Sequence, residues 1–87
     1  MIVKPHPHFK KSFKKRIFSN KDLVNKVQER LEQFKQDPTS PLLKDHSLTG
    51  DMIGFRAFSI TGDIRIVYYL EDDTVRLYDI GSHNQVY

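Results

Sequence analysis

The sequence predicts an α+β fold, in which an N-terminal helical hairpin packs on an antiparallel sheet of three to four strands. Two observations predict the order of the elements. Apolar residues recur at helical spacing in residues 8–36, and β-branched and aromatic residues dominate three short segments of residues 55–80, which the turn signals "TGD" and "EDD" separate. Each element has one apolar face to bury, so the helices are expected to cover one face of the sheet.

The first element is a short strand, Met1 to Lys4, because the prolines that follow are typical of a strand end. A helix is then expected over residues 8–18, where three apolar residues at four-residue intervals form one stripe: Phe9, Phe13 and Ile17. The sequence "SNKD" signals the start of a second helix, with Ser19 or Asn20 as its cap.

The second helix carries a longer apolar stripe, and Pro38 ends it. The stripe comprises Leu23, Val24, Val27, Leu31 and Phe34. Since only a few residues separate the two helices, they are expected to form an antiparallel hairpin.

The second half of the chain is rich in strand-forming residues. The stretch "LLKDHSLTGDMIG" connects the helices to the sheet and has room for a short strand. The segments "FRAFSI", "DIRIVYYL" and "TVRLYDI" form an antiparallel meander, to which the N-terminal strand adds a fourth member. With the hairpin on one face, the other face is expected to be open and to hold the functional site.

The length and composition narrow the function classes. Eighty-seven residues suit a single domain, residues 1–87. The absence of cysteine excludes disulfides and thiolate zinc sites. The start lacks the apolar core of a signal peptide, and no apolar run approaches the roughly 20 residues of a membrane span, so we expect a cytoplasmic protein without membrane contact.

The basic residues are concentrated in the first part of the chain. Residues 1–36 carry ten Lys or Arg and three acids, whereas residues 37–87 carry four and eight. A basic half of this kind predicts a polyanionic partner, most often a nucleic acid, or else lysine-rich helix faces that are merely solvated. The predicted RNA-binding residues are Lys10, Lys11, Lys14, Lys15, Lys44 and Arg56.

Five residues of the second half could perform RNA cleavage: His46, Asp63, Arg65, His83 and Tyr87. Attack by the 2′-hydroxyl of RNA needs a base, an acid for the leaving oxygen and a cation for the phosphorane charge. Histidines exchange protons near neutral pH, and an arginine binds phosphate oxygens in a fork. A tyrosine stacks on a base or donates its hydroxyl.

Each of these residues also has a structural explanation. His46 is a plain surface residue if its loop is exposed, and Asp63 is a turn residue after a glycine. Arg65 can pair with Asp63 or Asp79 across the sheet, and Tyr87 can act as an apolar plug for the tail.

His6 and His8 are spaced like a metal-binding pair, but no third ligand is evident. We therefore interpret them as polar residues at a strand end, and the sequence predicts neither a metal nor another cofactor.

Taken in order, the segments resemble the RelE/ParE superfamily of bacterial type II toxins, and within it the YafQ-like messenger-RNA interferases. The segment "HSLTG" ahead of a Gly-aromatic-Arg strand matches the family's His-x-Leu-x-Gly pattern. "IRIVYYL" matches its arginine-containing strand and "IGSH…VY" its tail. The resemblance covers nearly the whole chain.

The resemblance implies a RelE-like microbial RNase fold and a toxin that a cognate antitoxin wraps and neutralises, with DNA contacted only through the antitoxin. It also implies an endoribonuclease that enters the ribosomal A site and cuts messenger RNA without a metal. By position, His46 matches a loop histidine that transfers protons, and His83 matches the tail histidine expected to be the general acid.

The remaining roles also follow from position. Asp63 matches an acidic residue, Arg65 the strand arginine that stabilises phosphate charge, and Tyr87 the terminal aromatic residue. Arg56 falls where the RelE branch has a basic residue. One departure concerns Ser59, which stands where the YafQ pattern has another histidine, and a serine does not exchange protons near neutral pH.

Two other functions fit the same fold. A ParE-like gyrase poison would not need the two histidines. Expression of a gyrase poison damages DNA, whereas expression of a messenger-RNA interferase arrests translation, so this readout distinguishes the two functions. A non-catalytic module that binds antitoxin or RNA would bind ribosomes without cleaving messenger RNA.

Overall fold

A computed structural model describes all residues, 1–87. Its elements, in chain order, are β1 (Ile2–Pro5), α1 (Pro7–Arg16), α2 (Lys21–Gln36), β2 (His46–Ser47), β3 (Arg56–Ser59), β4 (Ile64–Glu71), β5 (Thr74–Ser82) and α3 (His83–Val86). Two 3₁₀ turns, Pro41–Leu43 and Gly50–Met52, flank β2. No helix combines the length and the apolar character that crossing a membrane requires.

The strands form one five-stranded sheet in the order β1-β5-β4-β3-β2. The meander of β3, β4 and β5 is antiparallel, as the sequence predicts. The sheet as a whole is mixed and has one strand more than expected, because β1 pairs parallel with β5 and β2 extends the opposite edge. With only two residues, β2 is too short to leave a periodic signal in the sequence.

Both helices begin with a side-chain cap. Asn20, one of the two predicted candidates, accepts a hydrogen bond from the Leu23 amide at 3.2 Å. At α1, the His6 Nδ1 accepts from the His8 amide at 3.0 Å, and both imidazoles pack against Tyr78. The two histidines therefore serve local structure at the end of β1, as the sequence suggested.

The main core lies between the helices and one face of the sheet. The predicted apolar stripes of both helices pack there, with Ile17 fully buried and Phe34 nearly so. Phe34 stacks on Phe58 of β3 with ring centroids 4.5 Å apart and meets Tyr68 of β4 edge-on at 5.1 Å. These contacts fix the hairpin on the sheet.

The opposite face of the sheet carries Ala57, Ser59, Arg65 and Val67, and we call it the site face. The prediction that this face is open was wrong in part, because Ala57 and Val67 are buried beneath Val86 of α3. The loop before β3 also packs there, through Leu48, Met52 and Phe55. The tail and this loop thus leave only part of the site face accessible, around Ser59 and Arg65, which are half-buried.

Candidate active site

Arg65 lies in the accessible part of the site face, as the second residue of β4. Its register partners are Ser59 on β3 and Gly81 on β5, so it is flanked by two small residues. Directly opposite residues of antiparallel strands point to the same face. The long Arg65 side chain therefore faces no bulky neighbour on either adjoining strand.

The Arg65 guanidinium has no carboxylate partner. Its Nη1 donates to two backbone carbonyls, of Asp63 at 3.1 Å and of Gly62 at 3.3 Å. None of the ion pairs in the structure includes it. Neutral acceptors orient the guanidinium without cancelling its charge, which leaves it able to bind an anion such as a phosphate.

The two carboxylates considered as partners of Arg65 are placed otherwise. Asp79 is buried and pairs with Arg16 of α1, Oδ1 to Nη1 at 3.2 Å, and with His8 at 3.6 Å. Asp63 lies in the exposed turn before β4, where its amide donates to the Thr61 hydroxyl at 3.2 Å. Asp63 thus meets Arg65 through its backbone carbonyl and makes no ion pair.

The tail is folded rather than frayed. Gln85 Oε1 accepts from the Ser82 amide at 2.7 Å, which caps α3, and Val86 is buried on the site face. Gly81 allows this arrangement, because a Cβ atom there would lie 2.7 Å from the same Gln85 oxygen and 2.8 Å from the Arg16 Nη1. The close packing at Gly81 therefore sets the position of α3.

This helix presents His83 and Tyr87 beside Arg65. The two rings meet edge to face, with centroids 4.7 Å apart, and the Tyr87 amide donates to the His83 carbonyl at 3.1 Å. Burial raises the pKa of the Tyr87 phenol, and the charge and hydrogen bonding of the nearby Arg65 offset part of that rise. Tyr87 is therefore a neutral hydrogen-bond donor near pH 7, and the His83 ring is exposed.

His46 approaches the same face from the other edge of the sheet. It lies opposite Ala57, and its Nδ1 lies 2.9 Å from the Lys44 carbonyl. Because a carbonyl only accepts, Nδ1 is the nitrogen that donates, and Nε2 is the nitrogen left to take up a proton. β2 lies two strands from β4, about 10 Å across the sheet, so Arg65 stands between His46 and His83 in strand order.

Arg56 does not join this group. It points to the helix-covered face, where its Nε donates to the Tyr68 hydroxyl at 3.2 Å and lies 3.4 Å from the Asp45 carboxylate. The hydrogen bond with Tyr68 and the charge of Asp45 raise the pKa of Arg56. The Tyr68 hydroxyl donates to Asp45 at 2.8 Å, so the three residues form a closed network.

Sequence reasoning missed this network, which fixes the residue directly before His46. A buried tyrosine hydroxyl needs a hydrogen-bond partner, so Tyr68 itself indicates that such a network exists. The identity of the partner depends on strand register and loop path, which the sequence does not specify.

The predicted basic residues of α1 are all exposed on its outer side: Lys10, Lys11, Lys14 and Lys15. Lys44 is exposed as well, in a left-handed conformation (φ 51°) just before Asp45.

The chain is similar to several bacterial toxins of known structure. E. coli YafQ superposes with a TM-score of 0.82 at 23% identity, covering 98% of this chain and 96% of that one. YafQ in the E. coli DinJ–YafQ toxin–antitoxin complex gives 0.80 at 24% identity, covering 98% and 94%. A copper-bound mutant toxin from Helicobacter pylori gives 0.76 at 29% identity, covering 100% and 99%.

No curated protein matches the sequence significantly. The family model of YafQ, described as a bacterial toxin of type II toxin–antitoxin systems, matches residues 1–87. The match spans every element of the fold, and the E. coli YafQ structures share that fold. The chain therefore belongs to the YafQ family of bacterial type II toxins.

Proposed function

We propose that this chain, acting as one domain over residues 1–87, is a ribosome-dependent endoribonuclease that cleaves messenger RNA by attack of the 2′-hydroxyl. The observation that supports the proposal is the Arg65 guanidinium, which makes no ion pair. In the order of the elements, Arg65 on β4 lies between two exposed imidazoles, His46 on β2 and His83 on the helix that follows β5. This reaction needs a base, an acid and a phosphate-binding cation, and in this proposal side chains provide all three without a metal.

The contact of Nδ1 with the Lys44 carbonyl leaves Nε2 to act as the base, and we assign that role to His46. Nε2 takes the proton of the 2′-hydroxyl, whose oxygen attacks the adjacent phosphorus atom. Arg65 binds the non-bridging oxygens as negative charge develops on the phosphorane. His83 gives a proton to the departing 5′-oxygen, which leaves a 2′,3′-cyclic phosphate on one fragment and a 5′-hydroxyl on the other.

Tyr87 and Asp63 have supporting roles. The Tyr87 ring is partly exposed beside His83 and is available to stack on a base next to the scissile bond. The Asp63 carboxylate, at the entrance to β4, is free to accept a hydrogen bond from the ribose. Ser59 adds no titratable group beside Arg65, so the proton transfers fall to His46 and His83 alone.

The proposed partners are the ribosome, messenger RNA and a cognate antitoxin. The exposed lysines of α1 suit a phosphate backbone, and binding of this kind weakens as the salt concentration rises. The similarity to YafQ in its complex with DinJ supports an antitoxin partner, through which the toxin would be brought to DNA.

Primer extension on messenger RNA in translating ribosomes tests the proposal, with wild type and His83→Ala compared. We expect discrete cuts that require ribosomes and are lost in the variant. Cuts that persist in His83→Ala would assign the acid to another group. An absence of cuts with wild type, despite ribosome binding, would refute the nuclease proposal in favour of a binding module.

A further inference from the structure

A groove of about 300 Å³ lies beside the candidate active site, between α2, the 3₁₀ turn at Pro41–Leu43 and the β3–β4 turn. Four basic residues line it, two from α2 and two from the second half of the chain: Lys26, Arg30, Lys44 and Arg65. No acidic residue lines it. We call this feature the basic groove.

The charges of the basic groove are only weakly satisfied within the protein. Arg30 contacts neutral acceptors through Nη1, Leu42 O at 3.4 Å and Gln33 Oε1 at 3.5 Å, and its Nε is buried without a partner. The Lys26 Nζ lies 3.7 Å from the Glu29 carboxylate. This ion pair is weak, because the Glu29 side chain is largely exposed to solvent. Four cations held together in this way favour an anion in the groove.

The basic groove is continuous with the candidate active site, because Arg65 and its register partner Ser59 line both. An RNA strand whose scissile phosphate lies on Arg65 has its neighbouring phosphates at the mouth of the groove. The exposed lysines of α1 belong to a different helix, so they do not supply these four charges.

We propose that the basic groove binds the RNA backbone next to the scissile phosphate, with Lys26 and Arg30 as phosphate-binding residues. The inference rests on the proposed function for the position of the scissile phosphate. The binding itself is separable from cleavage. RNA is favoured over an acidic protein segment because the groove leads directly to Arg65, where the proposal places a phosphodiester.

The test uses the full chain and a single-stranded RNA oligonucleotide with 2′-O-methyl groups, which the 2′-hydroxyl mechanism cannot cleave. Binding is measured over a range of salt concentrations for wild type and the double variant Lys26→Gln, Arg30→Gln. Lys35→Gln is the matched control. Lys35 lies on the same helix and makes a similar ion pair, Nζ to the Glu32 carboxylate at 3.5 Å, but it does not line the groove. Circular dichroism verifies that each variant is folded.

Loss of two phosphate contacts reduces the slope of log K against log salt by about 1.4, which is about tenfold in affinity near 0.15 M salt. We expect this in the double variant and wild-type behaviour in Lys35→Gln. An unchanged slope in the folded double variant would overturn the inference, as would an equal loss in Lys35→Gln. Unchanged RNA binding with weakened antitoxin binding would also overturn it and assign the groove to the antitoxin.

Cleavage on ribosomes, measured in parallel, separates the two proposals. If wild type does not cleave but the slope changes as expected, the groove stands as an RNA site and the nuclease proposal fails. If wild type cleaves and the slope does not change, the nuclease proposal stands and the groove inference fails.

Discussion

Replacing Gly81 with alanine tests how the tail helix is held beside Arg65. The added Cβ would lie 2.7 Å from Gln85 Oε1, 2.8 Å from Arg16 Nη1 and 3.1 Å from Gln85 Cβ. The two shortest contacts are to the ends of flexible side chains, which can move. The third is to a Cβ atom close to the backbone of α3, so the helix itself must shift by a few tenths of an ångström.

The cost follows from these contacts. Moving Gln85 breaks its 2.7 Å hydrogen bond with the Ser82 amide, and overpacking of this kind costs about 1–3 kcal/mol. For a domain of this size, each kcal/mol lowers Tm by about 4–8 °C. Since α3 carries His83, we expect a shift of a few tenths of an ångström to slow cleavage, but by less than the roughly 100-fold that a misplacement of about 1 Å costs.

The assay is the rate of messenger-RNA cleavage on ribosomes, measured below the Tm of each variant. Gln85→Ala is the matched control, because it removes the same hydrogen bond without adding an atom at Gly81. We expect Gln85→Ala to lose less cleavage rate than Gly81→Ala. The double variant should cleave faster than Gly81→Ala alone, because the shortest contact of the added Cβ, with Gln85 Oε1, is then removed. A folded Gly81→Ala protein with the wild-type rate would refute the claim that this packing positions His83.

Two further predictions concern residues on either face of the sheet. Burial raises the pKa of Tyr68, so the folded protein keeps the phenol proton at a pH where the unfolded chain has lost it. The contribution of this group to the free energy of unfolding is fully present below about pH 10 and is lost above it, by up to about 1.4 kcal/mol per pH unit. In urea unfolding, the free energy of unfolding of Tyr68→Phe should therefore fall less steeply with pH, and a slope identical to that of wild type would contradict this. Ser59→His places an imidazole opposite Arg65, and we expect cleavage in the ribosome assay to be faster by about tenfold or more. An unchanged rate would contradict this and mean that His46 and His83 already suffice for the proton transfers.

The periodic parts of the fold were predictable because their signals are local. The stripe of Phe9, Phe13 and Ile17 predicts α1, and alternation in β4 predicts a strand with two different faces. The parallel pairing of β1 with β5 was not predictable, because it joins residues more than seventy positions apart. The two-residue β2 is defined by its partner strand rather than by its own sequence.

The candidate site was predictable to a similar extent. Resemblance and residue type singled out His46, Arg65, His83 and Tyr87. The strand register places His46 and Arg65 on the site face. The contact of Tyr87 with Arg65 and its ring contact with His83 bring the tail beside that face. Arg56 was predicted together with the lysines to bind RNA, and alternation along β3 turns it toward Tyr68 on the face opposite the site. The face that a strand residue occupies depends on register with both neighbours, which the sequence does not state.

The free state of Arg65 also depends on three-dimensional placement. Asp79 was a plausible partner from the sequence, but Arg16 of α1 takes that carboxylate instead. A single pairing between distant elements therefore decides whether the site keeps an uncompensated cation.

The chemistry of the RNA ends, produced when wild type and Arg65→Ala act on messenger RNA in translating ribosomes, tests whether Arg65 supports attack by the 2′-hydroxyl. Attack by the 2′-hydroxyl predicts a 2′,3′-cyclic phosphate on the upstream fragment and a 5′-hydroxyl on the downstream fragment, with both absent when Arg65 is replaced. A 3′-hydroxyl paired with a 5′-phosphate, or wild-type cleavage by a folded Arg65→Ala variant, would contradict the account.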